Sequence, residues 1–316
     1  MPRPSFPRTV FEFNQWFPDE EACLKFLIES RWPDGFVCPR CGHTDYYWIA
    51  TRKLLQCKRC GYQASVTAGT IMHRSRMPLR IWFHAAYLVT THTPGMSALQ
   101  FQRQVGLSNY ETAFAMLHKL RAAMVRAGRD RLSGIVEVDE TYIGGKEAGP
   151  PGRGAKGKVI VAGAVDIRDK YANRIRLRVI PNVTGDTLTG FVKANVQEGS
   201  SVNTDDWRGY SRLNAAGYRH IVALELPHIH RVFSNLKTWL LGTHHGVSPQ
   251  HLQAYLNEYV FRFNRRGTPM AAFQTVLGLA KERIGPTYKE LYGVAKHGEF
   301  AWVHPNPKQK KMEVKK

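Results

Sequence analysis

The chain has 316 residues, 43% of them apolar, enough for two or three domains with sizeable cores. No apolar run is long enough to cross a bilayer and "MPRPSFPRTV" has no apolar h-region, so no membrane role is expected and a cytoplasmic location is. The 45 Lys and Arg against 25 Asp and Glu leave a net charge of +20 spread along the chain; a polyanion would relieve that self-repulsion, and nucleic acid is the expected partner.

Residues 1–30 carry "NQWFPDEEACLKFLIES", where Cys23, Phe26 and Leu27 share one helical face, so Cys23 reads as a buried apolar residue. Residues 31–74 form a loop-rich module with Cys38, Cys41, Cys57 and Cys60 in the spacing C-x2-C-x15-C-x2-C. Two residues between thiolates let one tight turn aim both sulfurs at one ion, and two such turns complete a tetrahedron. Gly42 and Gly61 follow each second cysteine and tolerate the positive φ of such turns. A zinc ribbon with one structural Zn²⁺ is expected; disulfides or a redox motif suit two spaced pairs in an intracellular chain less well. Four thiolates close the coordination sphere, so this metal is not catalytic, and His43 is a spare.

Residues 75–130 turn helical: one helix over Leu79–Thr91, a break at "THTPGMS", then two more in the form of a helix-turn-helix. Ser97 is expected to cap the first of the pair, which runs to Val105 with Gly106 at the turn. Ser108 is expected to cap the second, with Glu111 three residues on as in a capping box. Tyr110 to Thr112, Lys119 and Arg121 are then placed to face DNA. A helical hairpin that merely packs on the ribbon has the same pattern, and both readings stand.

From Gly134 the texture becomes β-rich: "GIVEVDETYIGG", "GKVIVAGAVDI", "RIRLRVI" and "GSSVNTD", with a helix opened by Thr184 between the third and fourth, and a short strand "RHIVALE". Helices are expected over "LPHIHRVFSNLK", "SPQHLQAYLNEYVFRFNRR" and "MAAFQTVLGLAKERI". The order reads as three strands, a helix, a strand, a helix, a strand and further helices: an α/β domain on a mixed sheet over residues 131–285. The basic loop at 146–158 and the stretch "PKQKKMEVKK" of the basic carboxy-terminal tail at 286–316 are expected to be flexible.

Val136 and Val138 alternate with Glu137 and Asp139 in "VEVDET", and a second acidic pair, Asp205 and Asp206, ends another strand in "NTDDWRGY". Acids at strand ends in so basic a chain point to a site for hard cations rather than to a solvated face. Two Mg²⁺ ions about 3.5–4 Å apart activate the attacking oxygen and steady the leaving oxygen of a phosphodiester.

Six motifs in order, "CPRC…CKRC", "AGTIMHRSRMPLRIWFHAAYL", "GMSALQFQRQVGL", "VEVDETYIGGKE", "TDDWRGY" and "HLQAYLNEYVFRFNRR", resemble bacterial insertion-sequence transposases of the zinc-ribbon, ISXO-like group, over nearly the whole chain. The resemblance implies an RNase H-like catalytic domain of the DDE type, preceded by a zinc ribbon and a small helical, helix-turn-helix-like domain. It puts the first acid on Asp139 and the second on Asp205, with Asp206 as the near neighbour. The family places its third acid, a Glu, seven residues before a Lys; counting back from Lys237 lands on His230, and some members resemble a D-D-H or D-D-N pattern. His230 and Lys237 share one helical face, roughly 10 Å apart, suiting one to the metals and the other to a phosphate. Imidazole is softer than a carboxylate and tilts preference from Mg²⁺ toward Mn²⁺. Asn235 and Glu258 are the alternatives for this position, although Arg262, Arg265 and Arg266 beside Glu258 favour an ion pair there. His228 is a further substitute, and His244 and His245 are open between DNA contact and helix capping.

The implied function is a transposase that binds the terminal inverted repeats of its element in double-stranded DNA, cleaves, and joins a 3′-OH to target DNA, as a dimer or larger assembly on the nucleoid. A transposase-derived DNA-binding regulator and an RNase H-like nuclease are the alternatives.

Overall fold

The computed structural model describes residues 6–126, 128–144, 158–281 and 284–292. Most of the expected basic loop and all of the tail beyond residue 292 lie outside the described residues. No helix among the described residues is long and apolar enough to cross a membrane.

The chain opens with α1 (Val10–Trp16) and α2 (Glu20–Arg31), started by side-chain caps: Thr9 accepts from the Glu12 N–H, and Asp19 from the Ala22 N–H at 2.8 Å. A three-stranded antiparallel sheet follows, β1 (Tyr46–Ile49), β2 (Leu54–Cys57) and β3 (Gln63–Ser65). Arg31 ties α2 to it by donating to the carbonyls of Val66 and Ala68, each at 2.7 Å.

Three helices come next: α3 (Leu79–Thr91), α4 (Ala98–Val105) and α5 (Tyr110–Ala123). Ser97 caps α4 by accepting from the Gln100 N–H, and Gly106 ends it at φ 69°, a left-handed conformation glycine adopts without steric cost. The cap of α5 is Asn109 rather than Ser108: its Oδ1 accepts from the Glu111 N–H at 2.8 Å. Starting one residue later makes Glu111 the second helical residue, so the expected capping box does not form.

The larger sheet is built from β4 (Ile135–Ile143), β5 (Val159–Arg168), β6 (Tyr171–Ile180), β7 (Ser201–Thr204) and β8 (Arg219–Val222), in the order β6-β5-β4-β7-β8. The first three form an antiparallel meander; β5 and β6 are joined at Asp169 and Lys170, both left-handed (φ 51° and 67°), which matches the twist of a tight hairpin. Helix α6 (Gly185–Asn195) then crosses over so that β7 runs parallel to β4, and β8 parallel to β7. This mixed five-stranded topology is the RNase H-like arrangement. Between β7 and β8, where a helix was expected, there is a single 3-10 turn at Arg208–Tyr210 followed by irregular turns. Gly209 and Gly217, both poor helix formers, bound the seven residues between them.

The two sheet faces are covered differently. Val136, Val138, Ala162, Ala164 and Val202 pack against Leu188, Phe191 and Val192 of α6. On the other face Val161, Val165, Ile175 and Leu177 meet α7 (Pro227–His244) and α8 (Leu252–Phe263). The chain ends in α9 (Pro269–Ala280) and α10 (Tyr288–Tyr292). The buried Ala272, Phe273, Val276, Leu277 and Ala280 of α9 join the amino-terminal core, with Phe273 against Phe13, Phe17 and Phe83, although the sequence groups this helix with residues 131–285.

Candidate active site

Strand β4 alternates its side chains, and this sorts the acids. Val136 and Val138 enter the α6 core, which sends Glu137 and Asp139 to the opposite face, beneath α7. The parallel register pairs Glu137 with Asn203, and its continuation brings Asp139 beside Asp205 just past the end of β7. Adjacent strands lie roughly 4.8 Å apart, so the two carboxylates meet where β7 ends beside the middle of β4, not at the end of both strands as expected.

Helix α7 brings the third group. Ile229, Val232, Phe233, Leu236, Trp239 and Leu240 bury its inner face, leaving His230 and Lys237 on the exposed side. His230 Nε2 lies 3.1 Å from Asp139 Oδ2; the imidazole is 61% exposed and the carboxylate 14%. Asn235, five residues on and turned by roughly 140° from His230 on the same helix, points elsewhere.

Two features that the sequence reading missed hold α7 in this position. Gly163 sits opposite Asp139 in the β4–β5 register, and a Cβ there would lie 2.6 Å from Phe233 and 2.9 Å from Ile229. Only a glycine lets the helix rest on the sheet at that point. Glu137, buried at 3% exposure, receives the N–H groups of His228 and Ile229, both at 2.9 Å, and its Oε1 lies 2.7 Å from His228 Nδ1. One carboxylate thus satisfies orphan donors at the start of α7, where the helix dipole favours negative charge. The available signal was its position: two residues before Asp139 and therefore on the same face.

The electrostatics are those of an under-compensated acid cluster. Burial pushes the Asp139 carboxyl up to about 6; Glu140 and Asp205 add to the rise, while the Glu140 backbone N–H and His230 oppose it. Tyr210, whose hydroxyl donates to Glu140 at 2.8 Å, is held well above the ordinary phenol range, first by burial and then by that carboxylate. Hard oxygen donors that repel one another in a chain of charge +20 fit divalent cations. Asp205 also accepts from the Trp207 N–H at 3.2 Å, which orients it, whereas Asp206 is exposed.

The ribbon cysteines converge as their spacing implies. All four sulfurs lie within 4.8 Å of one another, with Cys38–Cys60 at 3.7 Å and Cys41–Cys57 at 3.6 Å. A tetrahedron with Zn–S bonds of about 2.3 Å has edges of roughly 3.8 Å, so the cluster is sized for zinc. Each turn is closed by a glycine N–H bonding back to the first cysteine's carbonyl, Gly42 to Cys38 and Gly61 to Cys57. Cys23 is buried away from this group, and His43 instead approaches Asp45 at 3.8 Å.

Burial removes one expectation, DNA contact by Arg121, and closes one alternative for the third site position, Glu258, in favour of the ion pair its arginine neighbours suggest. Arg121 is 1% exposed and its Nε bonds Glu258 Oε2 at 2.8 Å, so it cannot face DNA. Glu258 is fully buried in that pair, with Arg262 3.6 Å from its other oxygen, and takes no part in the Asp139 cluster. Of the other neighbouring arginines, Arg265 stacks over Phe261 and Arg266 over Phe263. Lys119 is half-buried, while Tyr110 remains 46% exposed at the start of α5.

Residues 131–264 match the family model of the ISXO2-like transposase domain, and residues 18–63 that of the transposase zinc-ribbon domain. The chain is 26% identical over 304 residues to an uncharacterized protein in transposable element ISH50 of Halobacterium salinarum, spanning 84% of this chain and 98% of that one. A chain of the simian T-cell lymphotropic virus intasome in complex with PP2A regulatory subunit B56 gamma overlaps 51% of this chain and 67% of its own at 14% identity. Its TM-score of 0.27 is too low to bear on the fold.

Proposed function

Since the chain carries both of these domains and so belongs among the ISXO2-like insertion-sequence transposases, we propose that it binds the terminal inverted repeats of its own element and catalyses metal-dependent DNA cleavage and 3′-OH strand transfer. The observation that carries this reading is the meeting of Asp139 and His230 at 3.1 Å, beside Asp205 at the end of the neighbouring parallel strand.

Asp139, Asp205 and His230 would hold the divalent ions, Mg²⁺ or Mn²⁺. When bound, such ions supply Lewis-acid activation of the attacking oxygen and neutralise charge at the phosphodiester. The protein's own part is positioning. Glu137 and Gly163 set α7 against the sheet, and Asp205 is steadied by the Trp207 N–H. Lys237, exposed two turns along α7 from His230, neutralises a phosphate of the same DNA strand. No covalent protein intermediate is needed. The zinc ribbon and the α4–α5 pair hold the element's end in double-stranded DNA. Joining two ends requires a dimer or larger assembly, working on the nucleoid.

The test is end processing in vitro. Duplex DNA from the element's flank, with Mg²⁺ or Mn²⁺, is expected to be cut to a free 3′-OH and joined to a second duplex. Asp139→Asn and Asp205→Asn should each abolish both steps while still binding the end. Full processing by a folded protein carrying both changes would refute the assignment.

A further inference from the structure

A cavity of about 530 Å³ lies between the helical region and the far end of α7, and the cleavage chemistry makes no use of it. Tyr110 and Phe114 of α5, His244 at the end of α7, His251 and Tyr255 at the start of α8, and Tyr292 of α10 line it. Its volume suits a small planar ligand. No acidic residue, lysine or arginine is among its described lining residues. Two cavities on the amino-terminal side differ: both are lined by Asp19 and Glu20, which repel a polyanion.

Several imidazole nitrogens in and behind its wall have no hydrogen-bond partner. His251 is 8% exposed with Nδ1 unbonded, and His244 Nε2 is buried without a bond. Behind them His118 is 1% exposed with neither ring nitrogen bonded, its ring 5.0 Å from His251 and 4.2 Å from Phe114. Buried polar groups in native proteins are nearly always satisfied, so three imidazoles with unbonded nitrogens in and behind one aromatic cavity are unusual. Burial, followed by the nearby Arg121 guanidinium, holds the His118 and His251 rings below the usual range; for His244 burial takes it down to about 4. They are therefore neutral rings; His251 Nε2 already meets the Gln250 amide at 3.2 Å, which leaves Nδ1 of His251 and Nε2 of His244 unbonded.

That chemistry excludes two ligand classes. Arg121, stacked 4.0 Å over Tyr255, repels a cation. A free phosphate would find no cationic side chain among the described lining residues. What fits is flat, uncharged and edged with donors and acceptors. His244 lies 14 residues beyond His230 on α7, about 21 Å along the axis, with the exposed Lys237 between them. At about 3.4 Å per nucleotide a strand spans that in roughly six steps.

We propose that this cavity receives one unpaired nucleobase of the DNA on which the active site works, stacked among Tyr110, Phe114 and Tyr292 and hydrogen-bonded at its edge by His244 and His251. The inference rests on the transposase reading above. Aromatic stacking and satisfied imidazole nitrogens offset the loss of base pairing.

The experiment uses the full chain and duplexes from the flank of its coding sequence, each carrying 2-aminopurine at one position in turn, at protein concentrations where anisotropy shows the DNA fully bound. One position is expected to brighten several-fold. Tyr110→Ala, at a site 46% exposed, and His251→Phe should lose that signal at equal occupancy. A mismatch opposite the same position should tighten binding by the wild type more than by either variant. No brightening anywhere in bound DNA, or brightening that survives in Tyr110→Ala, overturns the base pocket and leaves the transposase reading standing. Failure to bind any flank DNA overturns both.

Discussion

Replacing Glu258 by alanine would leave Arg121 as a lone cation in the interior. Both side chains are at most 1% exposed, and they meet at 2.8 Å across the junction of α5 and α8. Taken as unit charges at that separation with an effective dielectric of about 20, they attract by roughly 6 kcal/mol, against a desolvation cost of several kcal/mol per ion. Removing one partner keeps the cost and loses the attraction, so the expected loss of stability is about 3–5 kcal/mol. Arg262 contributes little to the loss, since it already donates to the carbonyls of His92 and Thr93. Urea unfolding followed by tryptophan fluorescence measures the change. The double variant Arg121→Met/Glu258→Leu should recover most of it, because apolar side chains of similar volume fill the site without a buried charge. If Glu258→Ala costs less than about 1 kcal/mol, the level of an exposed ion pair, the reasoning is wrong.

Three further outcomes follow from the geometry. Cys57→Ser, at a ligand position 1% exposed within the amino-terminal core, should release the single equivalent of zinc measured by atomic emission and lower the melting temperature. Gly163→Ala drives a methyl into Phe233 and Ile229 and should cost about 1–3 kcal/mol, with slower end cleavage as α7 lifts from the sheet; an unchanged melting temperature would contradict it. Glu137→Ala strands the N–H groups of His228 and Ile229, at about 1–3 kcal/mol, and hydrogen exchange should quicken at those amides while the core of β5 stays protected.

What could be read in the chain beforehand was what is local. The cysteine pairs, the alternation in "VEVDET" and the cap at Ser97 each act within a few residues, and the structure follows them. The meeting of Arg121 with Glu258 spans 137 residues, so Arg121 read as a surface cation on a helix with suitable spacing. Asn109 took the cap from Ser108 because adjacent residues both suit the position and only the helix's packing chooses between them. Glu137 looked like an ordinary polar-face residue until α7 was laid over it. Gly163 carried no signal at all, since its importance lies in how near Phe233 comes. The candidate site itself was legible from the acids of two strand segments and the fixed interval between His230 and Lys237, although Asp139 lies in the middle of β4 rather than at its end. Their closeness depends on those two unread supports.

The packing of α9 on α3 has a consequence for how the molecule is made. Ile71 donates to the carbonyl of Ala280, and Phe273 fills a hollow among rings from the first third of the chain. A nascent polypeptide therefore leaves its amino-terminal hydrophobic surface open until nearly all of it has emerged from the ribosome. Fragments that stop at residue 264 would be sticky, protease-prone and poor at gripping DNA, however complete their ribbon and paired helices look on paper.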